Sequence, residues 1–340
     1  MADHSHLPWE PTAGENFPMI CYQFSPNLQI LINELGMQNY NQGNRIQYFA
    51  DILILIGLLI VSAVVFSLLG IVVAAGLTHQ NISEVLQTIQ SQSSLDNAIG
   101  LLKFYNVFAT FGAWVVSAFL FCKIRNYPVN SFWQFQKGQS KVWLYLPLVF
   151  IAAQIISIQL IQLNHSIQLP KSIQDAFNAF QTKAILERML AMHTVSDLFL
   201  NLFVIALLPA LFEEIFFRGT LQSLLIKWTQ KHHVGIWLSS LIFTLIHFNL
   251  EQIIPMFFLA LILGYTFYFS KSIWVSIAIH FCNNALAVLM YYYQNQSDFV
   301  QQVSKDEFQP HWFLVVISVL MLTATFMRLN QISKPTATHE

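Results

Sequence analysis

Charged residues are scarce in this sequence. Only 10% of the 340 residues are Asp, Glu, Lys or Arg, whereas these four types make up about 25% of an average soluble domain. A soluble enzyme needs more charge than this to cover its surface. Basic residues are not in excess either, because 16 Lys and Arg stand against 17 Asp and Glu. This balance argues against a nucleic-acid partner, which would favour a basic chain.

Cysteine is also rare. The chain has three cysteines, Cys21, Cys122 and Cys282, which are too few and too widely separated for a disulfide framework or a thiolate zinc site. What the sequence has instead is apolar residues, at 55% of the chain, and this excludes a disordered protein. Lipid is the natural solvent for such a composition.

The apolar residues are gathered in eight long runs. At about 1.5 Å of rise per residue, the longest run can cross a hydrocarbon core about 30 Å thick as a tilted helix. The runs lack the period-two alternation of membrane barrel strands, and only helices and closed barrels satisfy their backbone in lipid. We therefore predict an all-α fold, a polytopic transmembrane helical bundle of about eight spans. The predicted spans are residues 52–77, 104–122, 142–163, 197–217, 234–250, 253–270, 272–293 and 311–328.

The distribution of Lys and Arg predicts the orientation of the bundle. With the N-terminus placed in the cytoplasm, ten Lys and Arg residues fall in cytoplasmic segments, five fall in segments on the other side, and Arg218 lies within a span. Cytoplasmic loops of membrane proteins carry the excess of these residues. We therefore predict an integral, multi-pass membrane protein with both termini cytoplasmic, located in the plasma (inner) membrane if the source is bacterial.

Three ionisable residues interrupt the fourth run. Glu213, Glu214 and Arg218 lie in an otherwise apolar segment, where each costs about 2.5–3.5 kcal/mol on membrane-insertion scales. Glu214 and Arg218 are four residues apart, so they can pair along one helix face. Glu213 points about 100° away from Glu214 and has Phe217, not a cation, at the same spacing. Arg218 is therefore predicted to hold one carboxylate, while the other faces something else.

Polar residues occur at a matching depth in two later runs. His247 lies in the fifth run, and His280 and Asn284 lie one helical turn apart in the seventh. Counted from the cytoplasmic ends at about 1.5 Å per residue, Glu213 and His247 are about 21 Å deep and His280 about 14 Å, a difference that helix tilt absorbs. Any one of these residues alone is readily explained as a hydrogen bond between helices. The whole set at one level indicates a functional site.

Three short motifs at helical spacing carry a resemblance to a known family. The motifs are Glu213-Glu214-x-x-x-Arg218, Phe243-x-x-x-His247 and His280-x-x-x-Asn284. Together they resemble the signature of the CPBP intramembrane proteases, also called the CAAX-protease and bacteriocin-processing, or Abi, family. The motifs occur in order on separate predicted spans, and the resemblance covers about residues 197–290. It implies an intramembrane endopeptidase, which is a hydrolase of peptide bonds.

The resemblance also implies a role for each motif residue. Glu213 would be the general base on a water molecule, and His247 would help to hold and activate that water. His280 and Asn284 would stabilise the oxyanion of the tetrahedral intermediate. These residue types suit peptide hydrolysis, which needs a base within reach of a water and donors aimed at the oxyanion. Supporting, non-catalytic roles are implied for the remaining motif residues, Glu214, Arg218 and Phe243.

Metal dependence stays open on the sequence. Members of the family are commonly labelled metalloproteases, yet a metal-free glutamate mechanism is also proposed for them. Glu213, His247 and His280 could supply the three protein ligands of a catalytic zinc, but the only base then left would be Glu214, which Arg218 occupies. The sequence has no His-Glu-x-x-His helix. We favour a mechanism without a metal cofactor.

Two other classes of function compete with the protease. The intact motifs argue against a non-catalytic immunity or scaffold protein with a decayed site. A proton-coupled transporter would use intramembrane Glu and His as a relay, but the paired halves and broken helices typical of transporters are missing from the pattern. The partners expected are membrane lipid and a peptide or protein substrate, either a prenylated CAAX protein or, in a bacterium, a peptide precursor or membrane regulator.

The chain is predicted to have four parts. They are a polar N-terminal tail over 1–46, three spans with an amphipathic surface helix over 47–196, the catalytic helical core and last span over 197–330, and a C-terminal tail over 331–340. Three Asn-x-Ser sequons, at Asn81, Asn164 and Asn295, fall in predicted outside loops. Chance explains them better than glycosylation does, because those loops are rich in Ser and Asn.

Overall fold

The computed structural model describes residues 26–90, 96–167, 170–178, 183–294, 300–302 and 309–333. Within these ranges every regular element is helical and no β-strand occurs. The chain divides into two units, Met1–Ile46 and Gln47–Glu340. The first unit is helical from Pro26 onward, and the second contains all the residues of the three motifs. The prediction of an all-α fold is confirmed.

Eleven helices of seven or more residues are labelled here, and two shorter ones, Val129–Phe132 and Ser140–Trp143, precede the fourth. The bounds are α1 Pro26–Thr78, α2 Ile82–Gln90, α3 Asp96–Thr110 continued through a π-helical turn to Ser117–Ile124, α4 Leu146–Ser166, α5 Lys171–Asn178, α6 Lys183–Leu190, α7 Val195–Thr229, α8 His232–Ile246, α9 Ile253–Ser270, α10 Ile273–Tyr293 and α11 Trp312–Ser333.

Seven of the described helices are long and apolar enough to cross a membrane, which confirms the multi-pass membrane fold. The fifth predicted span, 234–250, is the one not among these seven, and it corresponds to α8, which has 15 residues. At about 1.5 Å per residue, α8 is roughly 22 Å long, shorter than a hydrocarbon core of about 30 Å. Helix α8 ends at Ile246, so His247 is its C-terminal cap and not part of the helix.

The first predicted span begins later than the helix that contains it. The sequence pattern predicts a polar tail up to residue 46 and a span from 52, whereas the backbone of α1 is helical without interruption from Pro26 to Thr78. The stretch between holds no proline that would break the helix. The sequence pattern also predicts an amphipathic surface helix over 171–192. The structure has α5 and α6 in this range, and residues 179–182 lie outside the described residues.

The long helix α7 lies at the centre of the bundle. It contacts α3, α8, α9 and α10, and its Phe216, Phe217 and Leu224 are buried in the largest apolar cluster. Helix α8 approaches it so closely at Gly235 that a Cβ atom there would lie 2.6 Å from the side chain of Ile226. Only glycine permits this contact.

Two π-helical segments interrupt α7. The first, Leu202–Leu207, comes just before Pro209, whose missing N–H and bulky ring prevent a regular helical turn at that point. The second, Ile215–Gln222, begins directly after Glu214. Segments of this kind are rare and are frequently found at functional sites.

A buried carboxylate joins the start of the membrane-crossing part of α1 to the end of α3. Asp51 is fully buried, with its Oδ1 2.6 Å from Arg125 Nε, and its Oδ2 accepts a hydrogen bond from the Tyr127 hydroxyl at 3.3 Å. Burial, together with the negative charge of Asp51, raises the pKa of Tyr127 to about 12. The phenol therefore stays a hydrogen-bond donor throughout the physiological pH range.

Candidate active site

Three side chains from three helical elements converge on one point. Glu213 of α7 places its Oε2 atom 4.0 Å from Nε2 of His247, at the end of α8, and 3.8 Å from Nε2 of His280 on α10. The structure thus brings these residues to one level of the bundle, as their estimated depths predict. Both distances exceed the limit of about 3.5 Å between the heavy atoms of a hydrogen bond.

The two adjacent glutamates have different surroundings. The Glu213 side chain is 15% exposed, and that of His247 is 31% exposed, so both border an accessible space. The side chains of Glu214 and Arg218 are fully buried. The i,i+4 pair expected from the sequence is present, with Arg218 Nε 3.4 Å from Glu214 Oε2.

Glu214 has a second partner that the sequence pattern does not indicate. Its Oε1 atom accepts a hydrogen bond of 3.0 Å from Nδ1 of His280. The same carboxylate that pairs with Arg218 therefore also links α7 to the histidine of α10. Matching depth was the only sequence signal for this contact, and it did not distinguish which glutamate His280 would meet.

His247 is held by a residue of α8, the helix that it caps. Its Nδ1 atom donates to the backbone carbonyl of Phe243 at 2.7 Å, and the imidazole ring packs on the Phe243 ring with centroids 4.5 Å apart. Because a carbonyl oxygen can only accept, the Nδ1 atom carries the proton, and Nε2 faces Glu213. The Phe243 ring also lies 5.2 Å from Arg218 Cζ, within the range of a cation–π contact.

Asn164 fixes the turn that follows His247. This buried residue at the end of α4 donates from Nδ2 to the carbonyls of Leu250 and Glu251, both at 2.9 Å. Its Oδ1 accepts from the backbone N–H of Ile254 at 3.1 Å. Asn164 is therefore a structural residue whose amide nitrogen is already engaged, which argues against the glycosylation that its sequon would allow.

Asn284 lies one turn beyond His280 on α10 and is half-buried. Among the described residues it makes no hydrogen bond with Glu213, His247 or His280. Its contact is with its neighbour Asn283, whose Nδ2 donates to Asn284 Oδ1 at 3.5 Å. The structure therefore brings six of the seven motif residues into one connected group and places Asn284 beside it.

The side chains that meet here, one carboxylate and two imidazoles, are of the types that bind a metal ion. In the described parts of the chain, no group of three or more His, Cys, Asp or Glu side chains is arranged to hold a metal. Both histidines use Nδ1 for protein contacts, which leaves their Nε2 atoms facing Glu213.

The model of one protein family matches part of this chain. The family is that of the Rce1-like type II CAAX prenyl endopeptidases, and the match covers residues 195–286. This segment runs from the start of α7 into α10 and contains every residue of the three motifs. The resemblance to the CAAX proteases is confirmed for this segment, and it supports an intramembrane endopeptidase at the level of the family. Searches of curated proteins and of solved structures find no match.

Proposed function

We propose that this protein is an intramembrane endopeptidase that hydrolyses a peptide bond of a membrane-associated substrate, with Glu213 activating the attacking water. The observation that carries the proposal is the spacing of Glu213 Oε2 from the Nε2 atoms of His247 and His280, at 4.0 and 3.8 Å. These gaps are too long for direct hydrogen bonds and short enough for one water molecule to bridge them.

The hydrogen-bond roles around this position favour water activation. His247 has its proton on Nδ1, so in the neutral ring Nε2 is an acceptor. A water between the Glu213 carboxylate and His247 Nε2 can donate one hydrogen to each and turn its lone pair towards a substrate carbonyl. Glu213 then takes the proton as the new bond forms, which is general base catalysis.

His280 is the oxyanion donor in this proposal. Its Nδ1–H is bound to Glu214, so a proton on Nε2 would point into the accessible space as a second donor. The Glu214 carboxylate, with Oε1 3.0 Å from Nδ1, fixes the orientation of the ring. Preorganised donors of this kind stabilise a developing oxyanion strongly in a site with little water.

The buried Glu214 and Arg218 pair supports the site without taking part in the reaction. A general base must reach the water, and the Glu214 side chain is fully buried against Arg218 and His280. Removing one partner of a buried ion pair leaves an uncompensated charge, which is strongly destabilising. We therefore assign Glu214 and Arg218 to the stability of the site and Glu213 to its chemistry.

The substrate class proposed is a lipid-anchored peptide of the CAAX type, or a peptide precursor held at the membrane. Purified protein in lipid nanodiscs should cleave members of a panel that contains a farnesylated CAAX peptide and unmodified hydrophobic peptides. Mass spectrometry in ¹⁸O-water should find the label in the new carboxyl group, since hydrolysis takes its oxygen from water.

Glu213→Gln is the negative control, and Glu187→Gln, at an exposed position of α6, is the matched control that should cleave normally. Binding of peptides without any cleavage by the wild-type protein, or proton-coupled flux of solute across the membrane, would contradict the proposal.

A further inference from the structure

A chain of three side-chain amides lies beside the site. Gln154 of α4 donates from Nε2 to Asn283 Oδ1 at 3.1 Å, and Asn283 donates from Nδ2 to Asn284 Oδ1 at 3.5 Å. All three residues are half-buried. Gln154 lies outside the segment 195–286 that matches the protease family, and neither Gln154 nor Asn283 belongs to the three motifs.

The direction of these hydrogen bonds decides which end of the Asn284 amide is free. Each amide has a carbonyl oxygen that accepts and an NH₂ group that donates. In the observed order, Asn284 uses its oxygen towards Asn283, and its Nδ2 has no partner among the described residues. If all three amides were rotated by half a turn, the contacts would persist, but Asn284 would present its oxygen instead.

We propose that Gln154 and Asn283 are positioning residues that keep the NH₂ group of Asn284 available to the oxyanion. This inference rests on the proposed function and on the role of oxyanion donor that the family resemblance implies for Asn284. Asn284 and His280 are four residues apart on α10 and so share one helix face. An amide oxygen at this position would repel the oxyanion, whereas an N–H donor stabilises it. The orientation of the amide is thus as important as its presence.

The competing explanation is that these amides only hold α4 against α10. Polar side chains commonly join membrane helices in this way, at about 0.6 kcal/mol on average. The two explanations differ in what they predict for a carboxylate, because a carboxylate keeps the size of the amide but can only accept.

Asn283→Asp tests the orientation directly. The new carboxylate accepts from Gln154 and from Asn284, so Asn284 turns its NH₂ group away from the site. We expect kcat to fall by about 10²–10³-fold, as on removal of an oxyanion donor, with KM unchanged. Asn283→Ala leaves the Asn284 amide free to rotate, and kcat should fall less than tenfold. The conservative change is therefore expected to be the more harmful one.

Gln154→Glu tests the same idea from one residue further away. A carboxylate at 154 only accepts, so Asn283 turns to donate to it and offers its own oxygen to Asn284. The loss of kcat should resemble that of Asn283→Asp, while Gln154→Leu should resemble Asn283→Ala. Gln159→Glu, which introduces the same carboxylate at an exposed position of α4, is the matched control and should retain the wild-type kcat.

A pH profile adds a readout that helix packing would not affect. Once protonated, the introduced carboxyl group can donate again, so the ratio of variant to wild-type kcat should rise as the pH falls for Asn283→Asp and Gln154→Glu. If Asn283→Asp does not fold, as judged by its melting temperature, the comparison of Gln154→Glu with Gln154→Leu decides.

Asn284→Ala separates failure of the inference from failure of the proposed function. If Asn284→Ala loses kcat while Asn283→Asp and Gln154→Glu stay within about twofold of Gln159→Glu, the positioning role is wrong and the proposed function stands. If Asn284→Ala keeps full kcat, the inference is overturned and the proposed function stands. If the wild-type protein does not hydrolyse peptides, both are overturned. Loss of kcat in the two carboxylate variants beyond that in Asn283→Ala and Gln154→Leu supports the positioning role of Gln154 and Asn283.

Discussion

The carboxylate of Glu214 accepts a hydrogen bond from Nδ1 of His280 at 3.0 Å. A residue with no access to solvent thereby fixes one of the two histidines that face Glu213. The two adjacent glutamates therefore differ in their surroundings, since the Glu214 side chain is fully buried while that of Glu213 is 15% exposed. Substitutions of the two glutamates are therefore expected to have different effects on stability and on activity.

Glu214→Gln should damage stability more than chemistry. The amide would leave the Arg218 guanidinium buried without a counter-charge, and breaking a buried ion pair from one side costs about 3–5 kcal/mol. We expect a lower melting temperature and a lower yield of membrane-inserted protein, with a partial loss of kcat because an uncharged amide oxygen accepts the hydrogen bond from His280 more weakly than a carboxylate does. Melting curves and turnover per folded molecule check this. A protein of wild-type stability with no activity would reverse the roles of the two glutamates.

Asn164→Leu should loosen the turn after His247. The change removes hydrogen bonds to three backbone groups, and a buried backbone group left without a partner costs about 1–3 kcal/mol. We expect a lower melting temperature and a lower kcat. Ser166→Ala is the control, because it destroys the sequon and leaves the hydrogen bonds of Asn164 in place. Equal effects of both changes in a glycosylating host would indicate a sugar at Asn164 and contradict the structural role.

Strong chelators should leave the activity of the purified protein nearly unchanged. The proposed route uses a water held by Glu213 and His247 and an oxyanion donor at His280, with no step that needs a metal. Turnover before and after treatment with EDTA and 1,10-phenanthroline, together with metal analysis of the active protein, provides the measurement. Stoichiometric zinc in active protein, with activity lost on stripping and restored on re-addition, would show a metalloprotease.

Reporter fusions should place residue 135 in the cytoplasm and residue 300 on the opposite side. This expectation follows from the ten-to-five distribution of Lys and Arg and the greater share that cytoplasmic loops carry. Fusions to alkaline phosphatase and to green fluorescent protein at each position report the two sides. A cytoplasmic signal from residue 300, or an external one from residue 135, would contradict the proposed orientation.

Much of the fold is predictable because lipid imposes simple rules on a sequence. Long apolar runs indicate helices, and ionisable residues such as Glu213 and His280 are conspicuous within them because their burial is costly. The end of α8 at Ile246 was less visible, since Phe248 and the residues before it continue the apolar run. The turn that follows this end is held by hydrogen bonds from Asn164 on α4, which is more than 80 residues away in the sequence.

The partners of individual polar atoms were not predictable. Spacing along α7 suggests that Glu214 meets Arg218, but contacts between helices depend on rotation and tilt, which the sequence pattern does not define. The bond from His280 to Glu214 and the amide chain from Gln154 to Asn284 are both of this kind. The π-helical turn after Glu214 also changes the register of α7, and no residue pattern signals it.

The rate of peptide hydrolysis by Glu213→Gln is the most direct measure of the central claim. If Glu213 is the base that activates water, kcat should fall by at least about 10²–10⁴-fold, while the melting temperature and membrane insertion match those of the wild-type protein and of Glu187→Gln. Hydrolysis at the wild-type rate by correctly folded Glu213→Gln would contradict the account and place the catalytic group elsewhere.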